Sequence, residues 1–345
     1  MHLTYSEIKD QGNALAKTLN YVDDRMGGLR AFMDRAQPRS LAFLGCGSSH
    51  SIAESLALAA QIYLKLPAVA IPAGDYMLHP EPYAGFLDGT LAVVLSRSGS
   101  TSEALKAVEL LKAAVPAHAL GICCAEETKL ARLCDEMLEM PWGFDRSVCQ
   151  TRSVSCLYTA GMYLIALLSG NTELADGLRR AVAETSAFMK SYEDDFKFLA
   201  SKRWTNAVVL SDAELNGIGA EAALAFQEIC RIPGAHHHVL DVRHGPMVLI
   251  GRSTLVVAAV SGNSQYERAL LEDVAKKGAE LLVVSDTPLD GLPDRALNVR
   301  FGGSLPHAAR GLPLIQAVQH IAYWRAVTDG VDPDRPEGLD PWIKL

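Results

Sequence analysis

The chain has 345 residues, of which 49% are hydrophobic and 21% charged, and its formal net charge is −8. This length and composition exclude a disordered or fibrous protein and allow two domains of typical size. The acidic balance and the lack of a basic run argue against nucleic acid as the main partner. Binding to a phosphate backbone needs clustered Lys and Arg.

The N-terminal segment MHLTYSEIKDQ is polar, without a signal-peptide apolar core, and no stretch is apolar for long enough to form a transmembrane helix. We therefore expect a cytoplasmic protein with no membrane partner. The seven cysteines are an odd number without a Cys-x-x-Cys pair. This pattern favours buried reduced thiols over disulfides or zinc ligands.

The first half of the chain predicts strands that alternate with helices. Residues 4–36 predict one or two amphipathic helices with a break near Gly27-Gly28. The elements predicted after them are a strand at 40–45, a helix at 51–66, strands at 67–73 and 90–96, a helix at 102–114, a strand at 119–124 and a helix at 126–134. Strands separated by helices of this length predict a parallel, doubly wound sheet.

The second half repeats this plan, which indicates a duplicated domain. Residues 206–230 parallel 40–63, and residues 253–278 parallel 90–114, so that Ser261-Gly262 matches Ser98-Gly99. The predicted fold is α/β, with two tandem doubly wound parallel-sheet domains and helices on both faces. Its predicted parts are N-terminal helices at 1–38, a first domain at 39–171, a connecting helix at 172–200, a second domain at 201–330 and a C-terminal tail at 331–345.

Residues 91–103, LAVVLSRSGSTSE, run from an apolar strand into a hydroxyl-rich turn that opens a helix. A helix N-terminus has four unpaired backbone N–H groups and a partial positive charge, which together favour an anion. Gly99 lets the backbone approach a ligand closely. The turn is therefore a candidate phosphate site, and a simple N-cap box in a serine-rich loop is the alternative.

Several motifs in this order resemble the SIS (sugar isomerase) phosphosugar family, close to the isomerase half of glucosamine-6-phosphate synthase. The motifs are LGCGSSH (44–50), SRSGSTSE (96–103), VCQTRS (148–153), GAEAALAFQEI (219–229) and DVRHGP (241–246). The resemblance spans roughly residues 40–340 and implies flavodoxin-like domains. It also implies that the substrate phosphate is held by Ser49, Ser96, Ser98 and Thr101, and that Val148 and Gln150 line the sugar.

Arg97 stands where the synthase branch of the family carries glutamine. Its guanidinium could donate to the phosphate as a charged group, or it could pair outward with an acid. We keep it among the candidate substrate-binding residues.

Glu228 and His244 are the candidate catalytic residues. Moving a carbonyl between the first two carbons of a sugar needs a base for the enediol step and a group that opens the hemiacetal ring. A carboxylate and an imidazole can supply both functions. By resemblance, Glu228 is the enolising base and His244 the ring opener, whereas by pattern alone each is an ordinary helix or loop residue.

Glu221 lies seven residues before Glu228, so both are expected on one helical face. Glu221 either raises the pKa of its neighbour by repulsion or anchors an adjacent loop. The family resemblance also implies that the histidine loop crosses to a partner subunit. We therefore expect at least a homodimer with the site at the subunit interface.

The tail departs from the synthase pattern, in which an essential lysine follows an RNL-type motif. This chain reads DPDRPEGLDPWIKL at 332–345, and its nearest lysine is Lys344, a third candidate catalytic residue. A lysine there could assist open-chain sugar handling through its ammonium group or a Schiff base. The enzyme either uses Lys344 after a local shift or works without a lysine.

No glutamine-hydrolysing domain precedes residue 40. We therefore expect a sugar-phosphate isomerase that acts on an aminated hexose 6-phosphate in the breakdown direction, either as a deaminating isomerase or as a fructosamine-6-phosphate deglycase. The alternative is a non-catalytic phosphosugar-binding regulator. Two copies of the fold, with Glu228 and His244 both present, favour the enzyme.

The consecutive histidines His236, His237 and His238 could suggest a metal site. Consecutive side chains point in different directions and rarely chelate one ion, so we assign substrate shape or subunit contact to them instead. We expect no metal and no cofactor, because an enediol pathway in this family needs neither and GCGSSH lacks the G-x-G-x-x-G pattern of nucleotide sites.

Overall fold

The computed structural model describes residues 2–289, 292, 296–301 and 303–340. Its backbone contacts divide the chain into two compact units. The N-terminal unit comprises residues 13–146 and 150–179 with residue 340, and the C-terminal unit comprises residues 2–12, 147–149 and 180–339. These units follow compactness, so the domain boundaries at 39–171 and 201–330 stay a proposal.

The elements alternate along the chain. In order they are α1 (Leu3–Lys9), α2 (Gln11–Ala36), β1 (Ser40–Gly45), α3 (Ser48–Ala59), β2 (Ala68–Pro72), α4 (Ala73–Leu78), α5 (Ala84–Leu87), β3 (Thr90–Ser96), α6 (Ser102–Ala114), β4 (His118–Cys123), β5 (Glu136–Glu139), α7 (Arg152–Ser169), α8 (Thr172–Ser191), α9 (Glu193–Ala200), β6 (Asn206–Leu210), α10 (Asn216–Cys230), β7 (Gly234–His237), β8 (Thr254–Ala259), α11 (Gln265–Lys276), β9 (Glu280–Val284), β10 (Ala296–Val299) and α12 (Gly311–Asp329).

Each unit contains one parallel sheet, and the two sheets have the same strand order. In the described residues the N-terminal sheet runs β2-β1-β3-β4-β5, and the C-terminal sheet, read from its other edge, runs β7-β6-β8-β9-β10. Every strand pair in both sheets is parallel. This confirms the predicted doubly wound α/β architecture with helices on both faces and the repeated plan of its halves.

The central strands are apolar because helices cover the sheet on both faces. Every residue of β3, TLAVVLS, and of β8, TLVVAA, is buried. In doubly wound sheets, ligands bind outside the carboxyl ends of such strands. A ligand site is therefore expected among the residues that follow β1, β3, β6 and β8.

The predicted break near Gly27-Gly28 is wrong. The helices of this region instead meet at Asp10, between α1 and α2, and α2 continues through both glycines. Leu29 and Phe32, which follow them, are almost fully buried. Burial of such side chains, at about 1.5–3 kcal/mol each, outweighs the helix penalty of two glycines, at about 1 kcal/mol each.

The predicted helix at 126–134 is also wrong, because only a 3₁₀ turn at Leu130–Arg132 forms there. The backbone N–H of Leu130 donates to the carbonyl of Gly99 at 3.1 Å, and the N–H of Ala131 donates to Thr128 Oγ1 at 3.2 Å. The Leu130 bond holds the segment against the turn after β3, and the Thr128 hydroxyl closes a local turn within the segment. These two bonds take the place of helical hydrogen bonds.

Three further boundaries differ from prediction. The first helix after β1 begins at Ser48 and gives way to a π-helical turn at Ala60–Leu64, and the connecting segment is two helices, α8 and α9, that separate at Tyr192. All seven cysteines lie in the described residues as free thiols, five of them buried as predicted and two, Cys46 and Cys134, half-buried. None of the helices in the described part of the chain is long and apolar enough to span a membrane.

Gly27→Ala and Gly28→Ala should each raise the free energy of unfolding by about 0.5–1 kcal/mol, because both residues are exposed in a helix and an added Cβ would meet open space. Urea unfolding followed by circular dichroism measures the change. A loss of stability in either variant would contradict the continuous helix.

Candidate functional site

A polar recess lies at the carboxyl end of the N-terminal sheet, where the predicted phosphate residues meet. Its volume is about 40 Å³, and a site needs about 10–15 Å³ to hold one water, so it can take a few water-sized groups such as phosphoryl oxygens. Its lining residues are Cys46, Ser49, Leu95, Ser96, Arg97, Ser98, Thr101, Ala104 and Gln150. The recess therefore brings together six of the predicted substrate-binding residues.

Two helices begin at this recess, because Ser49 lies in the first turn of α3 and Thr101 immediately precedes α6. The turn between β3 and α6 is tight. Gly99 has φ +58°, and its N–H donates to Ser96 Oγ at 3.0 Å. A Cβ on Gly99 would approach Thr128 Cβ within 2.5 Å, so only glycine fits there.

The N-cap alternative for this turn is not what the structure shows. Thr101 occupies the N-cap position of α6, yet its side chain makes no capping hydrogen bond within the described residues. Ser98 Oγ accepts the N–H of Ser100 at 3.2 Å. The Thr101 hydroxyl lines the recess, where it is available to a ligand.

Arg97 supplies the positive charge of the recess. The residue is only 6% exposed, and its guanidinium carbon lies 6.0 Å from the centre of the Phe144 ring. A buried guanidinium favours an anionic partner, because its charge is poorly screened by water. Its position in the lining supports the alternative in which Arg97 reaches the phosphate.

Cys46 shares this lining but is not a nucleophile. Burial and the nearby charge of Glu103 raise the pKa of its thiol to about 11. The thiolate is the reactive form of cysteine, and at neutral pH almost none is present at such a pKa. Cys46 therefore shapes the recess without reacting.

Sequence reasoning missed Asp145, which bonds to the residues directly after Gln150. The buried Asp145 carboxylate accepts the N–H groups of Thr151 and Ser153 at 2.9 and 3.0 Å and the Ser153 hydroxyl at 2.5 Å. It thereby satisfies the first N–H groups of α7. The signal was an aspartate shortly before a Thr-x-Ser segment that starts a helix.

Val148 does not line the recess. Its N–H donates to the carbonyl of Asp334 at 2.9 Å, and both residues belong to the C-terminal unit. Asp334 in turn accepts the N–H groups of Leu3 and Thr4, each at 2.8 Å. Val148 thus lies beside the first part of the C-terminal tail, which the bonds of Asp334 hold in place. Lys344 lies outside the described residues.

Glu228 belongs to the C-terminal unit and lies near the end of α10. It is half-buried and lines an open groove of about 600 Å³. The other lining residues are Leu224, Gln227, Arg231, Ile232, Pro233 and the tail residues Pro336, Glu337, Gly338 and Leu339. An ion pair of 3.1 Å between Arg231 and Glu337 ties the tail to the end of α10.

Close packing of α10 on β7 fixes the position of Glu228. A Cβ on Gly234 would lie 2.1 Å from the carbonyl oxygen of Ala223, and Gln227 Nε2 donates to the Gly234 carbonyl at 2.8 Å. Glu221, on the same helix, is only 1% exposed, in contrast to the half-buried Glu228. Its burial favours the anchoring alternative for Glu221.

His244 ends a 3₁₀ turn, Asp241–His244, and is exposed. An ion pair of 2.6 Å between Arg243 and Asp273 fixes this loop to α11. Val248 and Leu249, which follow, are 81% and 74% exposed. The histidine loop therefore presents an imidazole next to bare apolar surface.

Two of the three consecutive histidines pair with different side chains after β6, although the rings of His236 and His238 contact each other edge to face. The His236 Nε2 and Ser211 Oγ atoms lie 2.9 Å apart, and the His238 Nδ1 and Asp212 Oδ1 atoms also lie 2.9 Å apart. Burial and the neighbouring histidines lower the pKa of His236 to about 4. Among the described residues, no group of three or more His, Cys, Asp or Glu side chains could hold a metal ion.

Several known proteins are similar to this chain in sequence or fold. Residues 36–167 match the family model of the SIS domain. D-galactosamine-6-phosphate deaminase AgaS of Shewanella sp. (strain ANA-3) is 28% identical over 307 residues, which cover 85% of this chain and 76% of that protein. A glutamine–fructose-6-phosphate aminotransferase (isomerizing) of Chlamydia trachomatis is 24% identical over 96% of this chain, which spans only 57% of that protein.

Two solved structures share the fold over nearly the whole chain. Glucosamine-6-phosphate deaminase from Thermotoga maritima superposes with a TM-score of 0.80 and 26% identity, covering 99% of this chain and 100% of that one. Tagatose-6-phosphate ketose/aldose isomerase from Escherichia coli has a TM-score of 0.83 and 22% identity, covering 99% and 97%, and shows the fold alone. Residues 36–167 thus match the SIS domain, the C-terminal sheet repeats the strand order of the N-terminal sheet, and the relatives named above are described as sugar-phosphate enzymes.

Proposed function

We propose that the protein is an aldose–ketose isomerase of aminated hexose 6-phosphates that works in the breakdown direction and releases ammonia. The observation that carries this proposal is the polar recess of the N-terminal unit, where Ser49, Ser96, Ser98, Thr101 and Gln150 surround a buried arginine. Uncharged donors around one guanidinium are suited to a phosphate monoester dianion.

Local donors are required, because the chain as a whole is acidic, with a net charge of −8. The overall field therefore repels a phosphosugar, and attraction must come from within the recess. Arg97 and the N-termini of α3 and α6 supply that positive potential at short range.

The names of two relatives support an amino sugar as substrate. The AgaS relative, at 28% identity, and the T. maritima structure, at 26%, are both described as deaminases of a hexosamine 6-phosphate. We therefore favour ammonia as the leaving group. In the deglycase reaction an amino acid leaves from a fructosamine 6-phosphate. Release of an amino acid would therefore contradict ammonia as the leaving group.

We assign the proton transfer to Glu228. Its carboxylate removes the proton from C2 of the open-chain amino aldose, the electrons form a double bond between C1 and C2, and the C1 carbonyl oxygen takes up a proton from solvent, which gives an enolamine. Return of the first proton to C1 and loss of a proton from nitrogen to solvent leave an imine at C2, which takes up water and loses ammonia to give the ketose. The half-buried setting of Glu228 in an open groove suits a base that must meet substrate.

His244 is proposed to open the hemiacetal ring, moving a proton between the ring oxygen and the anomeric hydroxyl. An imidazole can donate and accept protons near neutral pH, as this step requires. Glu221 and Val148 are proposed as supporting residues of the sugar site. Lys344 is kept as the proposed tail lysine, acting through its ammonium group or a Schiff base.

We further propose a homodimer in which the histidine loop meets a second copy of the chain. Val248 and Leu249 are largely exposed next to His244, and apolar side chains that are bare in a monomer indicate a contact surface. The seven free thiols support a reducing compartment, so we propose a cytoplasmic location.

Ser98→Ala should raise KM for a sugar 6-phosphate by about 10- to 100-fold, because a hydrogen bond to a charged group contributes about 1.5–3 kcal/mol. Ser100→Ala is the matched control, since Ser100 is exposed outside the recess lining and donates through its backbone. Steady-state kinetics measures both. Equal KM values for the two variants would mean that Ser98 does not bind the phosphate and that the turn has only a structural role.

Glu228→Gln should lower kcat by at least about 100-fold and leave KM within a few-fold, because the amide keeps the shape of the side chain but is not a base. Glu272→Gln, on the exposed side of α11, removes the same charge away from the groove and should retain activity. Fructose 6-phosphate and ammonia released from glucosamine 6-phosphate are measured. Retained turnover in Glu228→Gln would contradict the assignment of the base.

Leu249→Glu should shift the protein towards monomer and reduce activity with it, since a buried unpaired charge destabilises an apolar contact. Phe198→Glu is the matched control, because Phe198 is also an exposed apolar residue, at 64%, on another element. Sedimentation velocity gives the oligomeric state. An unchanged sedimentation coefficient in Leu249→Glu would remove the histidine loop from the dimer contact.

A further inference from the structure

The C-terminal unit contains a second copy of the phosphate turn, built to the same geometry as the first. A constant offset of 163 residues places the start of α11 at Gln265 on that of α6 at Ser102 and Gly262 on Gly99. The two glycines have φ +79° and +58°. Ser261 Oγ accepts the N–H of Asn263 at 3.2 Å, as Ser98 Oγ accepts that of Ser100 at the same distance.

The glycines of the two turns are also packed alike. A Cβ on Gly262 would lie 2.2 Å from Thr287, which follows β9, and a Cβ on Gly99 would lie 2.5 Å from Thr128, which follows β4. Since β9 and β4 hold the same place in their sheets, the turns are equivalent in three dimensions. A difference between them is therefore a difference in side chains on one scaffold.

One of these side-chain differences is a carboxylate. At the position where Ala104 lines the first recess, the second copy carries Glu267. Glu267 Oε1 accepts the N–H of Ser261 at 3.0 Å. Its Oε2 accepts the Ser261 hydroxyl at 2.6 Å and the N–H of Gly262 at 3.2 Å.

A second substitution explains why the carboxylate is needed. In the first turn the N–H of Gly99 donates to Ser96 Oγ, but the equivalent position in the second turn is Ala259, which has no hydroxyl. The N–H of Gly262 donates to Glu267 instead. The anionic side chain thus takes the donors that point into the turn.

We infer that Glu267 is a built-in substitute for phosphate and confines phosphosugar binding to the first turn of each chain. This inference rests on the proposed function of the first turn. The carboxylate excludes a phosphate in two ways, since it occupies the donors and its negative charge repels a second anion. Each chain therefore binds one phosphate although it contains two equivalent turns.

Equilibrium dialysis of the full-length protein against radiolabelled inorganic phosphate tests this inference. Wild type should bind one phosphate per chain. Glu267→Ala, which restores the alanine of the first turn, should bind two, the second more weakly because Ala259 and the missing arginine leave fewer donors. Glu272→Ala, which removes the same charge elsewhere on α11, should bind one.

The outcomes separate this inference from the proposed function. One phosphate in both wild type and Glu267→Ala would overturn the role of Glu267 and leave the first-turn site in place. None in wild type and one in Glu267→Ala would support Glu267 and overturn the first-turn site. Two in wild type would overturn the inference directly.

Two further variants guard against misfolding. Glu267→Ser keeps a short polar side chain at the turn and should also gain a phosphate, which should raise its Tm in phosphate relative to sodium chloride of equal ionic strength. Ala104→Glu is the reciprocal change and should abolish binding to the first turn. Full phosphate binding by a folded Ala104→Glu protein would contradict the inference, because a carboxylate there would not then exclude the anion.

Discussion

The candidate site depends on the tight turn that leads from the buried parallel strand β3 into the N-terminus of α6, where the partial positive charge of the helix favours an anion. The left-handed backbone of Gly99 turns the chain from β3 into α6 within a few residues. Thr128 and Leu130 pack and bond against this glycine from the next connection. The turn is therefore held rigid from outside, and its donors are set before a ligand arrives.

Most of the strands and helices, and most of the residues of the recess, could be predicted from the sequence because local sequence patterns determine them. The apolar strands β1 and β3, the helix at 102–114 and the repeat of the plan were all predicted, since period, turn residues and burial agree there. The SIS motifs placed six of the recess residues. A local pattern of this kind predicts the type and the position of the element that contains it.

The features that were not predicted depend on side-chain packing and hydrogen bonds, several of them between segments far apart in sequence. Gly27 and Gly28 remain helical because neighbouring side chains are buried, and residues 126–134 are not a helix because the Gly99 carbonyl captures the Leu130 N–H. The anchoring of α7 by Asp145 and the hydrogen bonds from Ser261 and Gly262 to Glu267 are side-chain events. Helix and strand periodicity does not report such bonds.

The central claim is that the chain moves a carbon-bound proton of an amino-sugar phosphate. The most direct test is mass spectrometry of glucosamine 6-phosphate incubated with the protein in heavy water, with fructosamine 6-phosphates in parallel. We predict deuterium in the hexose product at C1, together with loss of ammonia, because the proton on the base exchanges with solvent in a share of turnovers. Tight binding of every sugar phosphate with no deuterium uptake and no product would contradict the claim and favour a phosphosugar sensor.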